Sequence, residues 1–215
     1  MQPIGAAHDF HNPAYAQDWA DRFVPTRSRQ ALFDTIVGQL SSRALPRSHV
    51  VELGIGPGYL AREILRRIPG VSYEGVDFSE AMFAIARSRL ADFAGRIVYT
   101  QADLIREDWT ARLTQTPGAI VSTWALHDLG GETHIAAVYR QARNALPNGG
   151  LLLNGDFVKP DESRFAYEPG RITPTRHEEL LREAGFQDVA RLAYLEKDVE
   201  NPTSANNYAC FVGVA

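Results

Sequence analysis

The chain has 215 residues, a formal net charge of −4 and a single cysteine, Cys210. This length fits one domain with a large core, and a lone cysteine forms no intrachain disulfide, which suits a reducing compartment. No apolar run approaches the roughly 18 residues of a membrane span, and no stripe of basic residues suits nucleic acid. We therefore expect a cytoplasmic protein that binds neither a membrane nor nucleic acid.

The first 47 residues are predicted to form a helical cap, and residues 48–215 the core of the same domain. Tyr15, Trp19 and Arg22 share one helical face by their spacing. A second helix is predicted over 26–43, where apolar side chains recur at helical spacing. The cap is the only sizeable addition to the predicted core.

From Val50 the chain alternates short apolar runs with helical patterns. Strands are predicted at 49–53, 72–76, 96–100, 118–123 and 150–156. Helices are predicted between them at 58–68, 79–93, 105–113 and 132–146. This alternation predicts right-handed βαβ crossovers and a parallel sheet with helices on both faces.

After Phe157 the pattern changes. Thr175 followed by Glu178 has the spacing of a capping box and predicts a helix that ends at Gly185. On this helical pattern His177, like His134 on the preceding one, is expected at the surface. Two more strands are predicted at 187–195 and 207–214. The polar loop between them favours an antiparallel return.

Three glycines, Gly54, Gly56 and Gly58, follow the first predicted strand and lead into a helix. Glycine lets bare backbone approach a ligand, and a helix that begins there presents unpaired N–H groups. Asp77 ends the second predicted strand, where a carboxylate accepts both hydroxyls of a ribose. Together these features predict a nucleoside-containing cofactor.

Two rival ligands are disfavoured. The dinucleotide fingerprint places its third glycine three residues after its second, and here that position is Tyr59. A nicotinamide cofactor is therefore not expected. His8 and His11 have no cysteine or carboxylate cluster to complete a metal site, so no metal is predicted.

Five motifs occur in a fixed order: ELGIGPG at 52–58, GVDFSEAM at 75–82, QADL at 101–104, IVSTWALHDL at 120–129 and LPNGGLLL at 146–153. Across residues 48–214 the chain thereby resembles the class I S-adenosylmethionine-dependent methyltransferases. The resemblance implies a Rossmann-like, doubly wound α/β fold: a seven-stranded, mostly parallel sheet with an antiparallel last strand, preceded by the helical cap.

The resemblance also implies the cofactor, S-adenosyl-L-methionine. From the core it implies contacts from Glu52, Gly54, Gly56, Gly58, Asp77, Phe78, Ala102, Asp103, Leu104, Ser122 and Thr123. From the cap, Tyr15 and Arg22 are expected to reach the methionine end of the cofactor, although a packing role for Tyr15 and a surface ion pair for Arg22 remain open.

His127 and Asp128 are the catalytic candidates, because they follow the fourth strand beside the expected position of the transferred methyl group. A histidine with a near-neutral pKa takes a proton from an acceptor hydroxyl or amine. The alternative is a polar wall without proton transfer. Four aromatic residues either line an acceptor pocket or belong to the core: Trp124, Phe157, Phe165 and Tyr167.

The sequence therefore predicts a methyltransferase that acts on a small-molecule acceptor by in-line displacement, as a monomer or homodimer. The short insert at 158–174 and the cap suit a compact, enclosed acceptor. Two alternatives remain open. One is a methyltransferase for a protein or other macromolecule, and the other is a cofactor-binding module without catalysis.

Overall fold

The computed structural model describes residues 8–45, 47–203 and 205–215, so residues 1–7 of the predicted cap lie outside the described part. The α-helices of these ranges are α1 (Pro13–Arg22), α2 (Arg27–Ser42), α3 (Tyr59–Arg67), α4 (Glu80–Arg89), α5 (Glu132–Ala145) and α6 (Pro174–Glu183). Their strands are β1 (His49–Leu53), β2 (Ser72–Asp77), β3 (Ile97–Gln101), β4 (Ala119–Thr123), β5 (Leu151–Phe157), β6 (Gln187–Leu195) and β7 (Tyr208–Val214).

The strands form one seven-stranded sheet in the order β3-β2-β1-β4-β5-β7-β6. β1 to β5 run parallel, whereas β7 runs antiparallel to both β5 and β6. The predicted fold class, with its antiparallel last strand, is confirmed. Because the strand order reverses between β1 and β4, a crevice opens at their carboxyl ends, where open α/β sheets bind ligands.

Helices cover both faces of the sheet, and each face has its own buried cluster. Leu32 of α2, Ile64 of α3 and Phe83 of α4 belong to one cluster. Ile135 of α5 and Leu181 of α6 belong to the other. These apolar positions lie on one stripe of each helix, which is why the 3.6-residue period predicted them.

The helix predicted at 105–113 does not form. A 3₁₀ turn at Trp109–Arg112 takes its place. The side chain of Asp103 accepts from the N–H of Ile105 at 2.9 Å, and Asp108 accepts from the N–H of Thr110 at 3.1 Å. Such local bonds offer the backbone an alternative to the helix, and the buried Trp109 fixes the loop against the core.

Two expectations about α6 are also wrong. Its N-cap is Thr173, whose hydroxyl accepts from the N–H of Arg176 at 3.2 Å, because Pro174 provides the first helical residue. His177 is fully buried rather than exposed. Its Nδ1 lies 2.8 Å from the hydroxyl of Tyr139 on α5. His134, also expected at the surface, is half-buried.

Within the described ranges, no helix is long and apolar enough to cross a membrane. The same residues contain no group of three or more His, Cys, Asp or Glu side chains arranged to hold a metal ion.

Candidate active site

A cavity opens at the carboxyl ends of β1, β2, β3 and β4, with about 960 Å³ of empty space including its mouth. The N-terminal segment forms one wall, through Phe10, Trp19, Phe23, Pro25, Arg29 and Phe33. The ends of the strands form the opposite wall. The cavity therefore lies at the predicted crevice and is partly covered by the chain that precedes β1.

Gly54 and Gly56 carry the loop after β1 into this cavity. Gly54 has a φ of +69°, and a Cβ there would lie 2.4 Å from the Cβ of Ala125. Any other residue would therefore push this loop away from the loop after β4. Gly58 is the N-cap of α3 with a φ of +79°, and it does not line the cavity.

Asp77 joins the glycine loop to the start of α4. Its carboxylate accepts from the N–H of Gly56 at 2.9 Å and from the N–H of Ser79 at 3.0 Å. Burial raises the pKa of Asp77, and these hydrogen bonds oppose the shift. Each carboxylate oxygen can accept a further bond, so Asp77 has the capacity to receive ribose hydroxyls.

Glu52 is a buried carboxyl group in the same cavity. Its Oε2 accepts from the hydroxyl of Tyr73 at 2.7 Å. Burial raises the pKa of Glu52 to about 8, even though Tyr73 favours the ionised form. Burial thus favours the protonated carboxyl group of Glu52, and a cation placed beside it would favour ionisation.

The turn after β3 supplies the residues expected around an adenine, and Ala102, Asp103 and Leu104 line the cavity. Phe78, which follows β2, lines it as well. The N–H of Ala102 donates to the carbonyl of Asp77 at 3.0 Å, which ties the turn after β3 to the end of β2. The ribose and adenine candidates are therefore held in one rigid edge of the sheet.

At the end of β4, only some of the candidate site residues line the cavity. Thr123 and Asp128 line the cavity, together with Trp124. Ser122 does not, because it is buried and its hydroxyl donates to the carbonyl of Leu53 at 2.9 Å. Ser122 thus ties β4 to β1 and leaves Thr123 to face the cavity.

His127 lies behind the cavity wall. Its backbone N–H donates to Asp156 at 3.0 Å, its Nδ1 lies 2.7 Å from the same carboxylate, and its Nε2 lies 3.4 Å from Asp128. Burial lowers the pKa of His127, but Asp156 and Asp128 outweigh burial and raise this pKa to about 9. The two carboxylates thus favour the imidazolium, which has no lone pair to take a proton, so this environment does not favour a general base.

Neither expected contact of the N-terminal helix lines the cavity. Tyr15 is exposed, and Arg22 pairs at the surface with Asp18 at 2.7 Å. The same helix instead reaches the cavity through Trp19, which meets Phe10 edge to face with ring centres 5.4 Å apart.

Sequence reasoning missed several residues. Phe10, Phe23 and Arg29 gave no motif. The turn before α1 brings Phe10 to the cavity, and the turn between α1 and α2 brings Phe23 and Arg29. Asp156 was also missed, although its place at the carboxyl end of β5 is a signal that sequence provides. Of the four predicted pocket aromatics, only Trp124 lines the cavity among the described residues.

A doubly wound sheet whose cavity joins a glycine loop, a carboxylate at the end of β2 and an acid after β3 defines a Rossmann-like protein that binds a nucleoside cofactor. Residues 50–150 match the family described as Methyltransferase domain. The chain belongs to the class I S-adenosylmethionine-dependent methyltransferases, whose cofactor is S-adenosyl-L-methionine.

Among its relatives, a trans-aconitate 2-methyltransferase of Acidovorax ebreus (strain TPSY) is 34% identical over 145 residues, which cover 67% of this chain and 48% of the relative. The chain thus spans about half the length of that relative. The CurJ carbon methyltransferase superposes with a TM-score of 0.72 at 17% identity, covering 94% of this chain and 59% of CurJ. Human N-acetylserotonin methyltransferase superposes with a TM-score of 0.64 at 18% identity, covering 94% and 55%.

Proposed function

We propose that this chain transfers a methyl group from S-adenosylmethionine to a small-molecule acceptor. The observation that carries the proposal is one continuous cavity that joins the glycine loop and Asp77 to an aromatic wall made by Phe10, Trp19 and Phe23. A wall formed by the chain's own N-terminal segment limits the acceptor to a compact molecule. The trans-aconitate 2-methyltransferase relative, named for a small acid, supports this acceptor class.

The cavity residues fit the donor. The bare backbone at Gly54 and Gly56 leaves room for its amino-acid part, and Glu52 offers a carboxyl group to its ammonium. Asp77 would accept the ribose hydroxyls, while Asp103 lies on the adenine side. The bound donor supplies an electrophilic methyl group on a positively charged sulfur.

Because the donor is already activated, positioning is the main task of this chain. Residues that hold two reactants in line can remove about 7–11 kcal/mol from a barrier. Trp19, Phe23 and Trp124 present aromatic surface to the cavity. Such surface excludes water, and an uncovered ring face attracts a cation by about 0.5–2 kcal/mol. The ring of Phe23 is already covered by Trp19 and Arg29, so Trp124 is the better candidate for this contact.

Asp128 is, in this proposal, the polar group that contacts the acceptor. It lines the cavity, and His127 lies between it and the buried Asp156. His127 and Asp156 therefore act as positioning residues. Asp128 can accept a hydrogen bond from an acceptor hydroxyl or amine, and burial raises the pKa of Asp128, which strengthens it as a proton acceptor.

The test of the donor site is the binding of S-adenosylhomocysteine, the demethylated donor, by calorimetry. Asp77→Asn should weaken this binding by about 10- to 100-fold, since hydrogen bonds to a charged group are lost. Asp92→Asn is the control, because Asp92 is exposed and lies outside the cavity. Unchanged affinity in Asp77→Asn would refute the cofactor site.

The test of the acceptor class is donor turnover with small carboxylates, phenols and amines, with the product identified by mass. We expect a methylated small molecule. Turnover only with a protein or RNA fraction would contradict the small-molecule assignment, and binding of S-adenosylhomocysteine without any turnover would favour a non-catalytic module.

A further inference from the structure

Arg29, in the first turn of α2, places a cationic side chain in the cavity wall. Its guanidinium carbon lies 3.6 Å from the centre of the Phe23 ring and 5.6 Å from the centre of the Trp124 ring. In the described part of the chain, this guanidinium forms neither a hydrogen bond nor an ion pair. Arg29 is thus a cation held among aromatic rings without a neutralising partner at contact distance.

Among the described residues, every other arginine that is not exposed donates at least one side-chain hydrogen bond: Arg89, Arg96, Arg143, Arg171 and Arg176. Arg171, for example, donates to the carbonyl of Asn206 at 2.7 Å, and Arg176 pairs with Glu132 at 2.8 Å. Arginines without such a partner, such as Arg62, are exposed to solvent. Burial lowers the pKa of Arg29, while the more distant Tyr208 and Glu196 oppose the shift. A partly buried charge without a partner is costly, so the site is suited to an anion that arrives with a ligand.

The strands whose residues lie near Arg29 are not those that form the expected ribose site. Trp124 follows β4, and Tyr208 begins β7 opposite Phe157 of β5. The Arg29 guanidinium lies 5.6 Å from the centre of the Trp124 ring and interacts electrostatically with Tyr208. In the strand order, β4, β5 and β7 lie on the side of β1 away from Asp77 on β2. Arg29 therefore belongs to the acceptor half of the cavity.

Trp124 adds an aromatic ring to the same wall. Its indole N–H has no hydrogen-bond partner among the described residues and is closed off from the cavity, so the ring and not the N–H meets a ligand. A guanidinium beside an aromatic ring suits a planar molecule with an acidic group.

We propose that Arg29 binds a carboxylate of the methyl acceptor, so that the preferred acceptors are small acids with a flat unsaturated or aromatic body. The inference rests on the proposed function, since it requires the donor to occupy the half of the cavity next to Asp77. A guanidinium suits this role because its parallel N–H groups match the two oxygens of a carboxylate. The donor carries a carboxylate of its own, and the experiment separates the two sources.

The experiment measures acceptor binding by calorimetry, with the protein saturated by S-adenosylhomocysteine. Benzoate, cinnamate and trans-aconitate are each compared with the corresponding amide. For the wild-type chain we expect at least one acid to bind about tenfold or more tightly than its amide, the size expected from hydrogen bonds to a charged group. Arg29→Met should abolish this preference, and Arg29→Lys, which keeps the charge, should retain part of it.

Arg27→Met is the matched control, because Arg27 lies on the same helix turn but outside the cavity, and it should keep the full preference. A second arm compares S-adenosylhomocysteine with 5′-methylthioadenosine, which lacks the amino-acid carboxylate. Arg29→Met should leave both affinities unchanged. Weaker binding of S-adenosylhomocysteine alone would assign Arg29 to the donor and overturn the proposal.

Absence of any acid preference in the wild type would also overturn the proposal while leaving the donor site intact. Failure of S-adenosylhomocysteine to bind the wild-type chain would instead defeat the proposed function itself. The two failures are therefore distinguishable in one set of titrations.

Discussion

The charge of the His127 ring depends on a balance between burial and two neighbouring carboxylates. Its side chain is 10% exposed, and it lies between the fully buried Asp156 and the partly exposed Asp128. Burial favours the neutral ring, whereas each carboxylate favours the charged ring. The carboxylates prevail, and the imidazolium in turn satisfies Asp156, which would otherwise be an uncompensated buried charge.

This charge predicts a dependence of stability on pH. The unfolded pKa of His127 is about 6.5, and the folded pKa is about 9. The folded state holds the additional proton between these values, so the stabilisation is complete below pH ~6.5 and is lost as the pH rises through about 9. Urea unfolding at pH 6 and pH 9.5 should show a loss of about 1–3 kcal/mol attributable to this residue.

In His127→Gln, the free energy of unfolding should fall by about 1–3 kcal/mol less between pH 6 and pH 9.5 than in the wild type. His134→Gln, which lies outside the pair of carboxylates, should behave like the wild type. An equal loss in His127→Gln and in the wild type would show that the ring is not held as a cation.

The residues that sequence predicted best are those whose chemistry is local. Gly54, Gly56 and Asp77 could be assigned because a strand end, a turn and a carboxylate are adjacent in the chain. Arg29 and Asp156 could not, because their partners Trp124 and His127 lie far away in the chain and meet them only in the folded molecule.

At the level of elements, apolar periodicity predicted the βαβ order because buried stripes and strand runs persist over many residues. The predictions that failed did so where the side chain of one residue determines the local backbone structure. Asp103 and Asp108 organise turns where a helix was expected. At α6, Pro174 shifts the start of the helix, so the cap is Thr173 rather than Thr175.

The cap of α6 gives a direct test. Thr173→Ala should lower the free energy of unfolding by about 1 kcal/mol, because the N–H of Arg176 loses its acceptor. Thr175→Ala is the matched control and should change it by no more than about 0.5 kcal/mol, since its exposed side chain caps nothing. Urea denaturation measures both, and the reverse ranking would show that the helix begins at Thr175.

At the scale of the whole molecule, the cavity joins the N-terminal segment to the sheet. Between them, the hydroxyl of Tyr59 donates to the carbonyl of Ala20 at 3.0 Å, and the hydroxyl of Ser79 donates to the carbonyl of Phe10 at 2.5 Å. A ligand in the cavity would contact both parts and therefore stabilise the segment as well as the strand ends.

S-adenosylhomocysteine at about 100 times its dissociation constant should stabilise the fold by about 2.7 kcal/mol. It should also slow amide hydrogen exchange in α1, because the Trp19 side of that helix lines the cavity. Exchange measured by mass spectrometry tests this, with Asp77→Asn at the same ligand concentration as the control. Exchange in α1 that does not respond to ligand would show that the helix is not coupled to the site.

The placement of β7 between β5 and β6 has a consequence for synthesis. β6 leaves the ribosome earlier than β7, yet its neighbour in the sheet is β7 and not β5. β6 therefore has no partner strand until Tyr208–Val214 has been synthesised and pairs with β5 on one side and β6 on the other. Until then, the hydrogen-bonding edge of β5 has no partner strand, so this half of the sheet is the part most open to mispairing during synthesis.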